Sequence, residues 1–431
     1  MTVGSKIDWK HTANIYEVNL RQYTEEGSFN AFKKELPRLK DMGVQVLWLM
    51  PITPIAKERR KGSMGSYYAC SDYVSINPEF GSLADFKSLV HTAQEMGFKL
   101  IIDWVANHTG WDHVWTKSHP NYYLHDANTG TFQTASGMDD IIELNYENPD
   151  LREAMISAMQ FWVQECNIDG FRCDLASWVT LSFWEQARPR LDAVKPLFWL
   201  GEFDELENPG YGKVFDASYS WKWMHKTKDF YQYRQPLQEL KNLLMQYEAL
   251  GTGSMRAWFT SNHDENSWNG TEYEKYGAIA RALAVFSCTW NGIPLLYSGQ
   301  EMPLLHQRLQ FFDKDPIPWN GKYELHGFYK KLLALKNSHQ ALRGGDEKSV
   351  TSLLATSASH QVLAFHRKNG EEEVIVMLNF SDEATQFELE NHSASGLFEE
   401  LFSGCLNNFS QSAAFRMQAG GYLVFVKRSI G

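Results

Sequence analysis

The sequence predicts an α/β protein built on a (β/α)8 barrel, with a small insertion after strand 3 and a C-terminal antiparallel β-sandwich domain. Three observations carry this prediction. Eight short β-rich runs alternate with amphipathic segments over the first three quarters of the chain. More than forty residues separate the third run from the next helix, and after about residue 345 the pattern changes to short alternating strands.

The eight β-rich runs are mostly apolar up to their last residue, which is typical of strands buried on both faces in a parallel sheet. An open doubly wound sheet is the alternative, but it usually carries a glycine-rich fingerprint after its first strand. The segment LRQYTEEGSF after Asn19 has no such fingerprint, so the barrel is preferred. The runs cover residues 15–19, 44–50, 100–103, 170–174, 198–202, 214–216, 258–264 and 293–297.

Three helices are predicted between these runs, two of them from capping signals. Ser82 caps a helix that ends at Gly97, and Asn148 with the following proline opens another. A third helix covers residues 29–42 and contains Pro37, which disfavours an uninterrupted helix.

The domain boundaries follow from the same pattern. Residues 1–103 and 146–344 form the barrel, and residues 104–145 form an inserted subdomain, because a connection of that length inside a compact domain is normally functional. Residues 345–431 form the C-terminal all-β domain, in which residues 361–368 and 373–379 make a hairpin around an Asn-Gly turn.

Composition and charge exclude several classes of protein. The 431 residues include 41 Lys plus Arg against 52 Asp plus Glu, a net charge of −11 that is unsuited to the phosphate backbone of nucleic acid. No apolar run reaches the roughly 20 residues that span a bilayer, and the start MTVGSKIDWK lacks the apolar stretch of a secretory signal. The five scattered cysteines include no CxxC pair, which favours a reducing compartment. We therefore expect a cytoplasmic protein without nucleic-acid or membrane partners, whereas a removed signal peptide would make it periplasmic or secreted. Its oligomeric state stays open.

The strand-end carboxylates that we select as candidates for the site are Asp103, Asp174, Glu202 and Asp264, each the last residue of its β-rich run. The active site of a barrel of this kind is built at the C-terminal ends of its strands. A single carboxylate there is most often part of a structural ion pair, but four that converge on one mouth indicate chemistry. Two carboxylates on opposite sides of a glycosidic bond are what acetal hydrolysis needs.

The neighbours of these carboxylates fit that chemistry. Arg172 lies two residues before Asp174 and so points to the same face of its strand, where it lowers the pKa of Asp174 and keeps it ionised. The apolar residues before Glu202 raise its pKa, as a general acid requires. His108 and His263 are neutral donors suited to sugar hydroxyls, although a lone histidine is more often structural.

Four motifs in order resemble those of the α-amylase family, glycoside hydrolase family 13, whose catalytic domain is a TIM barrel. They are DWVANH at 103–108, GFRCD at 170–174, GE at 201–202 and SNHD at 261–264, and supporting stretches match along nearly the whole chain. The resemblance implies that Asp174 is the nucleophile and Glu202 the general acid/base.

The resemblance assigns the remaining site residues as well. Asp264 and His263 would bind and distort the sugar and stabilise the transition state, with Asp264 as the third catalytic residue. Tyr68 would stack beneath the sugar, and Arg172 would support the nucleophile. Asp103 and His108 would bind substrate. The implied reaction is a retaining double displacement on α-linked glucose residues, with the two working carboxyl groups roughly 5–5.5 Å apart.

The sequence departs from the family at two places. Asn107 matches a calcium ligand of secreted members, but Ser177 and Trp178 stand where such enzymes have a Lys-His pair. We therefore expect no metal site and no required cofactor, while a calcium site built from oxygen atoms of the insertion stays open. Leu175, after the nucleophile, is neither the small residue of α-1,4-acting members nor the Val of α-1,6-acting ones, so linkage also stays open.

The expected function is hydrolysis of α-1,4-glucosidic bonds in starch-derived glucans or maltooligosaccharides. An exo-acting α-glucosidase, α-1,4 or α-1,6, or a transglycosylase of the same family is the alternative. A non-catalytic relative is disfavoured because the carboxylates are retained. Tyr219, Trp221 and Trp223 are either a sugar platform or packing residues, and Cys173 is expected to pack on the far face of its strand.

Overall fold

Eight parallel strands close into a barrel, as the alternating pattern predicts. The computed structural model describes residues 7–251, 254–303, 307–390, 392–411 and 414–428, so residues 1–6, part of the segment on which the absence of a signal was predicted, lie outside it. The strands are β1 Ile15–Val18, β2 Val46–Leu49, β3 Lys99–Trp104, β4 His108–Gly110, β5 Ile141–Glu143, β6 Gly170–Cys173, β7 Phe198–Asp204, β8 Ala217–Tyr219, β9 Met255–Trp258, β10 Ile293–Tyr297, β11 Val350–Thr356, β12 Val362–Asn369, β13 Glu372–Asn379, β14 Thr385–Glu390, β15 Leu397–Glu400, β16 Leu406–Asn408, β17 Ala414–Met417 and β18 Tyr422–Lys427.

Helices cover the outside of the barrel and connect its strands. They are α1 Leu20–Tyr23, α2 Phe29–Lys33, α3 Leu36–Met42, α4 Leu83–Glu95, α5 Val114–Ser118, α6 Pro149–Cys166, α7 Leu181–Asp192, α8 Trp221–Tyr233, α9 Leu237–Ala249, α10 Glu272–Tyr276, α11 Ala280–Thr289 and α12 His326–Ser338. A short π-helical stretch covers Glu265–Asn269. None of the helices in the described ranges is long and apolar enough to cross a bilayer.

Around the barrel the hydrogen-bonded order is β1, β10, β9, β8, β7, β6, β3 and β2, with β2 paired back to β1. Its interior is filled by apolar side chains from all sides, among them Trp48, Phe198 and Leu295. A larger apolar layer lies between the strands and the helices. One glycine is required by this packing, because a Cβ atom on Gly170 would lie 2.0 Å from the carbonyl oxygen of Phe198 on the next strand.

Two of the predicted helix starts are confirmed and the third helix is divided. The Ser82 hydroxyl accepts a hydrogen bond from the backbone N–H of Asp85, and the Asp85 carboxylate accepts one from the backbone N–H of Ser82. The Asn148 side chain caps α6. The predicted helix 29–42 is instead the pair α2 and α3. Pro37 lies in the first turn of α3, where its missing N–H costs nothing.

The sixth and seventh barrel strands lie elsewhere than predicted. The run 214–216 precedes β8, because the Phe215 ring packs outside the strands against Trp184, 5.4 Å between centroids. Of the run 258–264 only Trp258 belongs to β9, and the following residues form the loop at the barrel mouth. An apolar run alone does not separate a strand from a buried loop that adjoins it.

The segment after β3 contains a small two-stranded sheet of β4 and β5. Beyond the barrel, β11 to β18 pair antiparallel, and the two ends of that order pack on each other: Phe415 of β17 lies 5.8 Å from Phe409 and from Phe425 of β18. This is the predicted β-sandwich. Its hairpin turn is one residue later than predicted, at residues 370–371, since Asn369 still pairs with Glu372.

Candidate active site

A buried guanidinium joins three of the four predicted carboxylates at the C-terminal ends of β3, β6 and β7. Arg172 Nη1 lies 3.0 Å from Asp103 Oδ1 and 2.9 Å from Asp174 Oδ1. Its Nη2 lies 2.9 Å from Glu202 Oε2. Because adjacent parallel strands bring their ends to one edge, the alternation that points Arg172 and Asp174 to the same face is sufficient to build this cluster.

Burial controls the protonation of these carboxyl groups. Burial raises the pKa of Glu202 to about 7, although Arg172 lowers it, and this matches the expectation for a proton donor. Burial also raises the pKa of Asp174 to about 6. The expectation that Arg172 holds the pKa of Asp174 below its usual range is therefore wrong. The guanidinium does lower it, but one cation shared by three carboxylates does not compensate the desolvation.

Hydrogen bonds link Glu17 in the barrel interior through His263 and Tyr68 to Asp103, and His263 also lies near the fourth carboxylate. His263 Nδ1 lies 2.5 Å from Glu17 Oε1 of β1, and its Nε2 lies 2.7 Å from the Tyr68 hydroxyl, which donates to Asp103 Oδ2. The same Nε2 is 3.4 Å from Asp264 Oδ2, whose side chain is 38% exposed at the mouth. Asp264 thus lies above the buried cluster and faces the solvent.

The two predicted histidines differ in charge. Burial lowers the pKa of His108 to about 4, so His108 is neutral as expected, and its Nε2 has no partner among the described residues. Burial lowers the pKa of His263 too, but Asp264 and Glu17 outweigh that effect and raise it to about 9. The expectation of a neutral His263 is wrong because a carboxylate lies on each side of the ring.

These residues open onto a cleft of about 440 Å³ at the barrel mouth. Tyr68, His108, Asp174, Glu202, His263 and Asp264 line it, whereas Arg172 and Asp103 lie beneath its floor. The other lining residues were not predicted, and most are apolar or aromatic: Lys61, Ser66, Met138, Asp140, Ile141, Leu175, Trp268, Phe311 and Phe312. A cleft with an apolar wall and a few convergent polar groups is typical of a small-molecule site.

Two further buried residues that support the site were missed. Glu17 is a charged residue inside the apolar run IYEVN, and that anomaly was the available signal. Trp48 donates from its indole to Asp103 Oδ2 at 3.2 Å and lies under the guanidinium of Arg172, 4.9 Å from ring to cation.

Leu175 is held in a left-handed backbone conformation, φ 41°, directly after Asp174. That geometry directs its backbone N–H to Glu202 Oε2 at 2.9 Å. A branched side chain in this region costs free energy, and such strain concentrates at functional sites. The strained peptide therefore ties the two central carboxylates together from the cleft side.

The sugar-platform alternative for the aromatic residues after the sixth strand is not supported. Tyr219 and Trp223 are fully buried, and the Tyr219 hydroxyl accepts from Arg172 Nε at 3.2 Å. Trp221 packs against Phe259, 5.3 Å between centroids. Cys173 is buried on the far face of β6, as predicted.

The residues that the family resemblance relates to calcium are Asn107 and the pair Ser177 and Trp178. Asn107 directs its amide to His108 Nδ1 at 3.3 Å, and the Trp178 side chain is exposed. Within the described part of the chain, no group of three or more His, Cys, Asp or Glu side chains is arranged to hold a metal ion.

Comparison with known proteins agrees with this geometry. Residues 13–128 and 120–332 match the family described as alpha amylase, catalytic domain, and residues 353–423 match the maltogenic amylase C-terminal domain. The chain belongs to the α-amylase family. It is a glycoside hydrolase of that family, and its barrel and C-terminal β-domain are those that the resemblance implied.

Two solved structures of this family resemble the chain over nearly its whole length. The maltogenic α-amylase AmyB of Thermotoga neapolitana is 29% identical with a TM-score of 0.87, covering 97% of this chain and 99% of that one. The α-amylase of Lactobacillus plantarum is 28% identical with a TM-score of 0.86, covering 97% of this chain and 100% of that one.

Curated relatives are longer than this chain. Alpha-amylase 2 of Dictyoglomus thermophilum is 26% identical over 416 residues, which cover 90% of this chain and 69% of the relative. A cyclomaltodextrinase of Thermoanaerobacter pseudethanolicus is 25% identical over 387 residues, which cover 82% of this chain and 64% of the relative. The chain thus spans about two thirds of the length of these two relatives.

Proposed function

We propose that the chain hydrolyses α-1,4-glucosidic bonds in starch-derived glucans or maltooligosaccharides by a retaining double displacement. The observation that carries this proposal is the pair Asp174 and Glu202, which share the Arg172 guanidinium at the floor of one open cleft. The substrate class rests on relatives named maltogenic α-amylase and cyclomaltodextrinase.

In the first step Asp174 attacks the anomeric carbon while Glu202 gives its proton to the leaving oxygen, so the glycosidic bond breaks and a covalent glycosyl-enzyme ester forms. In the second step Glu202 takes a proton from water, whose oxygen attacks the same carbon and expels Asp174. A Glu202 carboxyl with a pKa of about 7 is suited to both transfers.

The remaining residues have binding roles in this proposal. Asp264, at the mouth, and the charged His263 beside it are placed to hold sugar hydroxyls. His108 offers a neutral ring nitrogen that has no other partner in the described chain. Tyr68, fixed by its hydrogen bonds to Asp103 and His263, is placed to stack on the ring at the point of cleavage.

Transfer to a second sugar, or exo-action as an α-glucosidase, is the alternative within the family. One observation favours transfer: Leu175, Trp268 and Phe311 make an apolar wall beside the carboxylates, which disfavours water and offers stacking to an acceptor sugar. Release of glucose alone from maltoheptaose would instead indicate exo-action, and products longer than the substrate would indicate transfer.

Proton NMR of the first product tests the proposed mechanism. Initial release of the α-anomer from maltoheptaose, with products shorter than the substrate, is the expected result. Initial release of the β-anomer would contradict the role of Asp174 as nucleophile. Equal rates on isomaltose and maltotriose would contradict the proposed α-1,4 preference.

A further inference from the structure

A second depression lies on the segment inserted after β3, outside the catalytic cleft. Its volume is about 480 Å³, against about 440 Å³ for the cleft. We propose that this depression, the insertion groove, binds an α-glucan chain and holds long substrates beside the cleft. The substrate class of this inference rests on the proposed function. The groove is lined by Glu58, Trp111, Asp112, Thr116, Lys117, His125, Gly130, Thr131 and Phe132.

Two aromatic rings form the apolar part of the insertion groove. Trp111 and Phe132 lie 6.3 Å apart between centroids at an interplanar angle of 61°, and both are partly exposed. The Arg59 guanidinium lies 3.4 Å from the centre of the Trp111 ring, and the indole N–H donates to the Asp139 carbonyl at 2.9 Å. Rings that are already fixed lose little entropy when the apolar faces of sugars stack on them.

The polar lining suits a neutral ligand that is rich in hydroxyl groups. Asp112 Oδ2 accepts from the backbone N–H groups of Lys57 and Glu58 at 3.0 and 3.3 Å, which fixes the carboxylate. Its Oδ1 is buried and has no hydrogen-bond partner in the described part of the chain. The positive charge of Lys117 offsets part of the negative charge of Glu58 and Asp112, so the lining has no concentrated charge that would attract an ionic ligand.

The backbone around the groove is organised by its own hydrogen bonds. Asp126 accepts from the N–H groups of Asn128 and Thr129 at 2.9 Å and forms a tight turn, after which Phe132 pairs with His125. Helix α5, which contributes Thr116 and Lys117, forms the facing wall. The groove is therefore a preformed surface.

The groove and the cleft share one short segment as a wall. Met138 and Asp140 line the cleft, while the carbonyl between them, that of Asp139, holds Trp111 in the groove. Lys61, which lines the cleft, pairs with Asp139 and Asp140 at 3.0 and 2.8 Å. A glucan too long for the cleft can therefore continue across this segment onto the groove, whereas a short oligosaccharide cannot reach both.

Calorimetry with maltotriose on the variant Glu202→Gln tests the inference, because turnover in this variant is too slow to consume the ligand and a trisaccharide is too short to reach the cleft and the groove at once. We expect binding of two equivalents, and only one after Trp111→Ala is added. Since Trp111 contacts the wall of the cleft, Thr116→Arg provides a second variant that fills the groove from α5 without removing the indole. The matched control is Tyr233→Ala, which removes an aromatic ring on α8 that is 70% exposed. Both binding events should be unchanged in this variant.

Kinetics of the otherwise native enzyme give the second readout. Trp111→Ala and Thr116→Arg should each raise KM for soluble starch about tenfold, because each removes the contribution of roughly one stacked ring to binding. Both variants should leave kcat/KM for maltotriose unchanged. A single binding event in the parent, or starch kinetics unaffected by both variants, would overturn the groove as a glucan site. Absence of any maltotriose binding together with absence of glucan hydrolysis would instead overturn the proposed function. A dimer in sedimentation that Thr116→Arg dissociates would show that the groove binds a second copy, and would also overturn the inference.

Discussion

Two buried arginines lie at opposite ends of the barrel strands, and both hold carboxylates. At the C-terminal end, Arg172 alone faces Asp103, Asp174 and Glu202, so negative charge exceeds positive charge. At the N-terminal end, Arg188 Nη2 lies 2.9 Å from Asp216, the residue just before β8.

The second cluster is balanced where the first is not. Asp216 also accepts from Lys10 Nζ at 2.9 Å, and Arg188 Nε reaches Asp192 at 3.2 Å, so two cations meet two anions. Asp216 further accepts from the backbone N–H of Trp199. Balanced and fully hydrogen-bonded charge stabilises a fold. At the mouth, burial first and neighbouring carboxylates second raise the pKa values of Asp174 and Glu202 into the range where they exchange protons.

The largest expected effect is a loss of kcat that occurs when a carboxylate of the Arg172 cluster is replaced, and not when one of the Arg188 cluster is. Asp174→Asn should lower kcat on maltotriose by about 10⁴-fold, because the amide cannot form the glycosyl ester. Maltotriose binding by calorimetry should be largely retained. The matched variant Asp216→Asn should keep kcat within about twofold, and comparable losses in both variants would remove the distinction between the clusters.

The free energy of unfolding should show the reverse order, with the larger loss in Asp216→Asn and not in Asp174→Asn. Asp216→Asn removes one partner of a buried ion pair and should lower the free energy of unfolding by about 3–5 kcal/mol, measured by urea denaturation. Asp174→Asn relieves a crowded anionic site and should leave stability unchanged or raise it. Stability that falls equally in both variants would contradict an excess of negative charge at the mouth.

The dependence of kcat/KM on pH should reflect the ionisation of the carboxyl groups around Arg172. Asp174 must be ionised, so activity should fall below its pKa of about 6, and Glu202 must be protonated, so activity should fall above its pKa of about 7. We therefore expect a narrow bell in kcat/KM for maltotriose. In Glu202→Gln, any residual activity should lose its alkaline limb, and an unchanged alkaline limb would assign that proton to another group.

A smaller effect is expected at the residue that sequence reasoning missed. Glu17→Gln removes one of the two carboxylates that raise the pKa of His263, and the less charged ring should bind sugar hydroxyls less well. KM for maltotriose should rise about two- to tenfold, the strength of an ordinary hydrogen bond. Glu301→Gln, at an equally buried acid paired with Arg38 at 2.8 Å, is the control and should leave KM unchanged.

The comparison also explains which strand ends were interpreted correctly. Asp103, Asp174 and Glu202 close apolar runs whose period is local, so their place at the mouth follows from the sequence. Asp216 closes a similar run, VFD, yet lies at the other end of the barrel, because Val214 and Phe215 pack outside it before β8 begins. Apolar content alone did not reveal whether a carboxylate next to an apolar run lies at the N-terminal or the C-terminal end of a barrel strand.

The sequence by itself determined the order of strands and helices, the insertion, and the four carboxylates with Arg172, because strand alternation, helix caps and motif spacing are local properties of the chain. Only the tertiary structure decided the protonation of the site. Desolvation depends on everything packed around a group, so a single arginine did not keep the pKa of Asp174 low, and two carboxylates distant in sequence made His263 a cation. The insertion groove also formed only when residues 58, 111–117 and 125–132 met in space.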